Sequence, residues 1–266
     1  MINLTLYKKE LKSSWKLLVI IAGVLTLYIT MIIGMFDPEM ADALKQFEEL
    51  MPEVMAAVGM TGTGDTLAGF MISYLYGMLM LVFPMVYTII RSNGLVAKYV
   101  DRGSMASLLA APVHRTTVAL TQLAVLFTGI FLLLGYCTAL ELATAQALFP
   151  GELAAAELLR LNVGLLFLQL FIGGFCFLCS CAFQDTRYSL AFGAGVPVLM
   201  YVVQMLANMG GKLENMKYAT IFSLYQAEGL VSGESGAWLC AAILLAGAVL
   251  LSALAVTVFR RKDLHL

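Results

Sequence analysis

Six long, nearly uncharged apolar runs constrain this chain more than any other feature of its sequence. Each contains at least 20 residues, and an α-helix needs about 20 apolar residues to cross the hydrocarbon core of a bilayer. The runs are continuous, whereas the strands of a membrane barrel alternate over about ten residues, so helices are favoured. The predicted spans are residues 17–36, 67–90, 118–140, 161–183, 190–209 and 237–259.

The overall composition agrees with a membrane location. Hydrophobic residues make up 61% of the 266 residues and charged residues 12%, whereas charged residues are about 25% of a soluble globular domain. We therefore predict an all-α membrane protein with six transmembrane helices, organised as a single domain over residues 1–266. With six spans, both termini lie on one side of the membrane.

The distribution of positive charge predicts which side that is. Twelve of the 16 Lys and Arg residues precede the first span, follow the last, or lie between spans 2 and 3 or spans 4 and 5. The other four lie on the opposite side. Because cytoplasmic loops carry the excess of Lys and Arg, both termini and the loop at 98–115 are predicted to be cytoplasmic.

The N-terminal segment has a helical pattern of its own. Leu4, Tyr7, Leu11 and Trp15 recur at helical spacing, and four lysines occupy the remaining faces. This pattern predicts an amphipathic interfacial helix along the inner leaflet, with its lysines among anionic headgroups. The alternative is a positively charged flank of the first span. The sequence does not decide the conformation of the outer loops at 37–66 and 210–236.

The sequence offers little catalytic chemistry. Its two histidines, His114 and His265, both lie outside the spans. Glu141 lies at the outer end of span 3, where we expect it to reach interfacial water. A cluster of thiols without histidine is more typical of small packing residues than of a metal site. That cluster is Cys176, Cys179 and Cys181. We predict no catalytic, cofactor or metal site and no nucleic-acid partner.

Uncharged polar residues replace charged ones within the spans. An ion-coupled transporter normally has ionisable groups buried in its spans, and we expect essentially none here. Polar residues such as Gln204 and Asn208, which are four apart and share a helix face, either join helices or line a path for an amphipathic cargo. Both interpretations remain open from the residues alone.

The loop at 98–115 combines a helix start, a helix stop and clustered positive charge. Ser104 can cap a helix, residues 105–111 are good helix formers, and Pro112 prevents continuation. The sequence therefore predicts about two helical turns on the cytoplasmic face. The apolar side chains on one side of this helix are Met105, Leu108 and Leu109.

Two interpretations fit this short helix. It can dock in a groove of another protein, or it can lie on the membrane surface, anchored by Arg102 and Arg115. The chain contains no Walker A pattern. Any energy from ATP therefore has to come from another subunit.

In combination, these features resemble the permease subunits of ABC-type exporters of the type-2 class. Such permeases have six spans and cytoplasmic termini. Their loop after span 2 carries an acidic residue, a Gly-Ser/Thr pair, a Leu-Leu pair and a Pro-x-x-Arg. The matching positions are Asp101, Gly103, Ser104, Leu108, Leu109, Pro112 and Arg115. The chain departs from the family at Asp101, where glutamate is usual, and at Met105, where leucine is frequent. Residues 9–12 and 259–264 also fit the termini of the family.

The resemblance implies an ABC transporter transmembrane domain in the cytoplasmic membrane of a bacterium. It implies two ATPase subunits that hold ATP and Mg, a second permease copy, identical or homologous, and contact with membrane lipids. The ATPases would engage the helix at 104–111, so Met105 joins the seven matching positions as an ATPase-coupling residue.

In this family the cargo path is commonly lined by spans 2 and 5, and the cargo would be a lipid, peptide or amphipathic drug. By that analogy the lining candidates are Tyr74, Tyr87, Gln204 and Asn208. The alternative function is a membrane anchor or sensor in a resistance or signalling complex, without transport.

Overall fold

The computed structural model describes residues 2–37, 51–59, 66–101, 103–105 and 113–262, with the backbone alone at Lys212. Every regular element within these residues is helical. The α-helices, numbered along the described chain, are α1 (Leu4–Gly34), α2 (Pro52–Ala57), α3 (Leu67–Met71), α4 (Leu79–Leu95), α5 (Ala97–Asp101), α6 (Arg115–Leu148), α7 (Ala155–Ala182), α8 (Thr186–Asn208), α9 (Ala227–Ser232) and α10 (Ser235–Arg261). A π-helix (Ile72–Tyr76) follows α3, and 3₁₀ helices at Gly211–Ala219 and Phe222–Leu224 precede α9.

Six helical segments of the described chain are long and apolar enough to cross a bilayer: α1, α4 with α5, α6, α7, α8 and α10. The predicted all-α membrane fold with six spans is confirmed. We call the end where α1 begins and α10 ends the terminal end. The other end of the bundle, which carries the 3₁₀ helices and α9, is called the loop end.

Helix α7 lies at the centre of the bundle. In its most apolar stretch of 18 residues, 67% of the residues are buried, against 28% in the corresponding stretch of α1, 22% in α8 and 28% in α10. It packs against α4, α6, α8 and α10. A Cβ atom added at Gly174 would lie 3.1 Å from the Ala248 carbonyl oxygen. The absence of a side chain therefore lets α7 and α10 approach closely, as small residues commonly do between membrane helices.

The N-terminal segment differs from the expected separate interfacial helix, because it forms the first turns of α1 without a break. The sequence contains no Gly or Pro between Leu4 and the first span that would end the helix. The apolar positions Leu4 and Trp15 are exposed, while Glu10 and Ser14 are buried. An apolar surface is stable against lipid, so the polar side chains can turn inward where they find protein partners.

The second span differs from its predicted bounds, because residues 67–90 do not form one α-helix. A π-helix follows α3, and Met78 departs from helical geometry at φ −134°. Gly77 lies so close to Gly59 that a Cβ there would be 2.9 Å from the Gly59 carbonyl oxygen. The long apolar helix of this span is instead assigned to Leu79–Asp101.

Pro84 lies inside α4 and cannot donate a backbone hydrogen bond. The side-chain Nε2 of Gln169 on α7 donates to the Leu81 carbonyl oxygen at 2.9 Å, in the turn that precedes the proline. This contact supplies a donor where the helix is perturbed, as membrane helices require.

Candidate functional site

A cavity with a volume of about 650 Å³ lies at the loop end. Its walls come from the π-helix, α8 and the segment that contains the 3₁₀ helices and α9. The aromatic and amide side chains of its lining include Tyr76, Tyr201, Gln204, Asn208, Phe222 and Tyr225. Ligand sites typically have volumes of about 300–1,000 Å³, so this cavity is large enough for a small organic molecule.

Two predicted path residues, Gln204 and Asn208, lie on this cavity, one turn apart on α8. The Nε2 of Gln204 donates to the Oδ1 of Asn208 at 2.8 Å. The hydroxyl of Thr220 donates to the Oε1 of Gln204. These contacts attach α8 to the residue that follows the first 3₁₀ helix, and they hold the two side-chain amide groups at the cavity wall.

The other two predicted path residues do not line this cavity. The ring of Tyr74 packs against Phe70, with centroids 4.6 Å apart. Tyr87 is fully buried, and its side chain fills the space next to Gly129. In the predicted second span, the tyrosine that lines the cavity is Tyr76, the last residue of the π-helix. A π-helix has more residues per turn than an α-helix, so the side chains that follow it point in different directions from those of a regular α-helix.

Glu141 is fully buried rather than in contact with interfacial water, so that expectation from the sequence is wrong. The hydroxyl of Tyr76 donates to its Oε2 at 2.7 Å. The Nδ2 of Asn162 donates to the same oxygen at 3.0 Å and lies 2.6 Å from the Tyr76 hydroxyl. Three elements therefore meet at one carboxylate.

One sequence signal could have found this cluster. Glu141 lies seven residues before the end of α6, and Asn162 lies seven residues after the start of α7. In an antiparallel helical hairpin, positions equidistant from the turn lie at the same depth, so the two polar groups can meet. No comparable signal identifies Tyr76, because its position depends on the π-helix.

The second oxygen of Glu141, Oε1, has no hydrogen-bond partner among the described residues. None of the Lys and Arg side chains in the described chain forms an ion pair with this carboxylate. Tyr225 lies between the second 3₁₀ helix and α9. Burial and the nearby Glu141 carboxylate raise its pKa well beyond the usual value. Tyr225 therefore remains neutral and adds no charge of its own to the cavity wall.

A second polar cluster lies at the terminal end. Glu10 is almost completely buried, and its Oε2 is 2.9 Å from Nη2 of Arg91. The same Nη2 donates to the Glu10 carbonyl oxygen at 2.7 Å, and the Tyr99 hydroxyl donates to Oε1. A cavity of about 260 Å³ adjoins this cluster. No sequence pattern indicates this pair, because its members are 81 positions apart and come from different spans.

These two clusters correct the expectation that the bundle buries essentially no charge. Glu10, Arg91 and Glu141 are all buried. Glu10 and Arg91 lie near the ends of runs that look like ordinary charged flanks in the sequence. Their burial follows from tertiary packing of α1 on α4, which hydropathy alone does not reveal.

The predicted coupling residues are distributed over the terminal end. Asp101, Gly103 and Ser104 are exposed, whereas Met105 is fully buried in the core and does not present the docking side chain expected of it. Gly103 follows α5 with a φ of +68°, in the left-handed region that favours glycine. Leu108, Leu109 and Pro112 lie outside the described residues.

Three hydrogen bonds connect residues at, or immediately before, the two described ends of this loop to other spans. Besides the Tyr99 bond to α1, the Ala97 backbone N–H donates to the Ser180 hydroxyl on α7 at 2.9 Å. Nη1 of Arg115 donates to the Lys262 carbonyl oxygen, just after α10, at 2.9 Å. The loop is therefore joined to the first, fourth and sixth spans.

The described chain contains no group of three or more His, Cys, Asp or Glu side chains arranged to hold a metal ion. Cys176, Cys179 and Cys181 are buried on α7, and the Cys176 thiol contacts the Gly193 carbonyl oxygen at 3.0 Å. This packing joins α7 to α8.

No protein-family model matches the sequence, and no curated protein shows significant similarity to it.

Proposed function

We propose that this chain is the membrane-spanning permease subunit of an ATP-driven exporter in the cytoplasmic membrane. The loop at 98–115 receives the movement of a separate ATPase, and the bundle passes that movement to a cargo site at the loop end. The sequence contains no Walker A pattern, so in this proposal the partner binds ATP and Mg.

The observation that supports this proposal best is the attachment of the loop to three spans. Tyr99 joins it to α1, Ala97 to α7, and Arg115 to the end of α10. Coupling between distant sites requires a packed or hydrogen-bonded element that both sites can move. A displacement of this loop would act on the first, fourth and sixth spans together.

The loop-end cavity supports the cargo side of the proposal. It is about 650 Å³ in volume and is lined by aromatic and amide side chains, a mixture suited to an amphipathic molecule. In the proposed cycle, α7 connects the two ends, since it carries Ser180 near the loop and Asn162 near the cavity.

The proposed assembly contains two ATPase subunits and a second permease, identical or homologous. Helices α1, α8 and α10 are mostly unburied in the single chain. Large apolar side chains on α8 and α10, such as Leu199 and Val249, are more than 60% exposed. These faces are suited to lipid and to a second permease.

The experiment that tests the proposal is co-purification of the chain with the ATPase encoded beside its gene. Leu108→Asp and Leu109→Asp are expected to lower the amount of bound ATPase by about tenfold or more, as loss of a buried interface anchor does. Leu213→Asp is the matched control, because Leu213 is a partly exposed leucine of the opposite, loop end.

ATP turnover in proteoliposomes provides the second measurement. The loop variants are expected to reduce both binding and turnover, and the control is expected to retain both. If neighbouring ATPases never bind the unaltered chain, or if the two loop variants bind and turn over normally, the permease proposal is wrong. A membrane anchor or sensor would then be the better interpretation.

A further inference from the structure

We infer that the loop-end cavity is a binding site for a hydrophobic organic cation, with Glu141 as the buried counter-charge behind its wall. As a statement about cargo, this inference rests on the proposed exporter function. As a statement about binding, it concerns this chain alone.

The first observation is the aromatic lining. Tyr76, Tyr201, Phe222 and Tyr225 all contribute to the wall. The rings of Tyr201 and Phe222 meet edge to face, with centroids 5.4 Å apart. Aromatic faces attract cations, especially quaternary or weakly hydrated ones, where water is excluded. Such a wall binds the apolar body and the charge of an organic cation together.

The second observation is the sign of the charge among the lining residues. Two exposed carboxylates, Glu228 and Glu234, lie among them. The lysine of the lining, Lys217, is already paired with Glu214 at 2.8 Å. The lining is therefore negative overall, which favours cations over anions.

The third observation is the buried carboxylate behind the wall. Tyr76 lines the cavity and also donates to Glu141, so one tyrosine separates the carboxylate from a ligand. Oε1 of Glu141 is completely buried and has no hydrogen-bond partner among the described residues. An ionisable group within a membrane span indicates a functional site, and a cation in the cavity would be attracted by this carboxylate across Tyr76.

The chemistry favours cationic over anionic ligands. A phosphate or carboxylate in the cavity would face three carboxylates, whereas a cation is attracted by all of them and by the aromatic rings. Because a low-dielectric surrounding strengthens these interactions, a charge difference on ligands of the same shape should give a large difference in affinity.

The test uses the purified full-length chain in nanodiscs without any ATPase. Equilibrium binding of radiolabelled tetraphenylphosphonium is measured, with tetraphenylborate, an anion of nearly the same shape, as the matched ligand. Saturable binding of the cation that the anion does not displace is expected. Equal binding of both ions, after subtraction of the amount that partitions into empty nanodiscs, would overturn the inference.

Substitutions then locate the site. Glu141→Gln keeps the shape and removes the charge, and it is expected to weaken cation binding by about tenfold or more. Tyr201→Leu is expected to weaken it by about fivefold through the loss of one aromatic face. Glu152→Gln is the control, because Glu152 is an exposed glutamate in the turn between α6 and α7 and does not line the cavity.

A double variant protects the test against misfolding of Glu141→Gln. Glu228→Gln with Glu234→Gln changes only exposed carboxylates and is expected to weaken cation binding by about threefold at low salt. If the double variant and Tyr201→Leu both bind the cation as the unaltered chain does, the inference is wrong. Since no ATPase is present, this failure is separate from a failure of the exporter proposal.

A final arm identifies the source of the cation. A lipid with a net positive headgroup is added to the same nanodiscs. Displacement of tetraphenylphosphonium by this lipid assigns the site to a membrane-borne cation, and undiminished binding assigns it to a water-borne one; either result supports a cation site.

Discussion

Glu10 and Glu141 are both buried carboxylates, at opposite ends of the bundle, and their surroundings differ. Glu10 has the Arg91 guanidinium at 2.9 Å and the Tyr99 hydroxyl on its other oxygen. Glu141 has two neutral donors on one oxygen and none on the other among the described residues. Glu10 has a cationic partner within the chain, whereas Glu141 has none among the described residues.

This difference indicates different roles. A buried ion pair whose members come from two helices fixes the position of one helix on the other, and it strongly resists the loss of one partner. A buried carboxylate without a cation is better suited to interact with something that enters. The terminal end is therefore the part of the bundle held by its own charges, and the loop end is the part that can accept a charged ligand.

The largest expected effect comes from Arg91→Leu. This substitution leaves Glu10 buried without its counter-ion, and removal of one member of a buried pair costs about 3–5 kcal/mol. The free energy of unfolding is measured by titration with SDS in mixed micelles, followed by tryptophan fluorescence. The double variant Glu10→Gln with Arg91→Leu is expected to recover much of the loss, since no uncompensated charge remains. If the single variant costs less than about 1 kcal/mol, the comparison between the two carboxylates fails.

The next effect concerns packing around the terminal-end pair. Tyr87 is fully buried, and a Cβ at Gly129 would lie 2.9 Å from its Cζ atom. Gly129→Ala is therefore expected to cost about 1–3 kcal/mol by overpacking, measured by the same unfolding titration. Gly135→Ala on the same helix has nothing within 4 Å of its Cβ and is expected to be neutral or stabilising. Equal effects of the two would mean that Tyr87 moves freely, as a path residue would.

The fold was largely predictable from the sequence because membrane spans obey a simple physical rule. Apolar runs of about 20 residues have few alternatives to a helix in lipid. The observed bounds of α10 and the end of α7 lie within two residues of those predicted, whereas α7 begins earlier, at Ala155 rather than at residue 161. The second span was the exception, because Gly77 packs against Gly59 in the loop before it, a tertiary contact that hydropathy does not record.

The candidate site was less predictable than the fold. Gln204 and Asn208 were identified because two polar residues at helical spacing on an apolar helix are conspicuous. The burial of Glu141 does not follow from its own helix, because it depends on the hairpin that brings Asn162 opposite it. The Glu10–Arg91 pair depends on the direction in which α1 faces, and the exposed apolar residues of that segment suggested the reverse.

A smaller effect is expected from Tyr76→Phe at the loop end. This substitution removes the hydroxyl that donates to Glu141 at 2.7 Å, although Asn162 still donates to the same oxygen. Loss of a hydrogen bond to a charged group costs about 1.5–3 kcal/mol, and the remaining donor should keep the loss near the lower limit. Tyr188→Phe, at an exposed tyrosine, serves as the control and should change the free energy of unfolding little. A loss as large as that of Arg91→Leu would mean that the loop-end cluster is as rigidly held as the terminal-end pair.

The smallest effect is expected from Glu141→Gln, and its comparison with the same substitution at Glu10 is the most direct one. Glu10→Gln leaves the buried Arg91 guanidinium without an anion and is expected to cost about 3–5 kcal/mol. Glu141→Gln leaves no ionised partner behind, keeps an oxygen for Tyr76 and Asn162, and removes a charge from the membrane interior. It is therefore expected to change the free energy of unfolding by less than about 1 kcal/mol, or to increase it. Both values come from the same SDS titration of the full-length chain. Equal losses at the two positions would show that Glu141 is already neutralised within the chain, and the loop-end cavity would then have no buried charge to offer a cation.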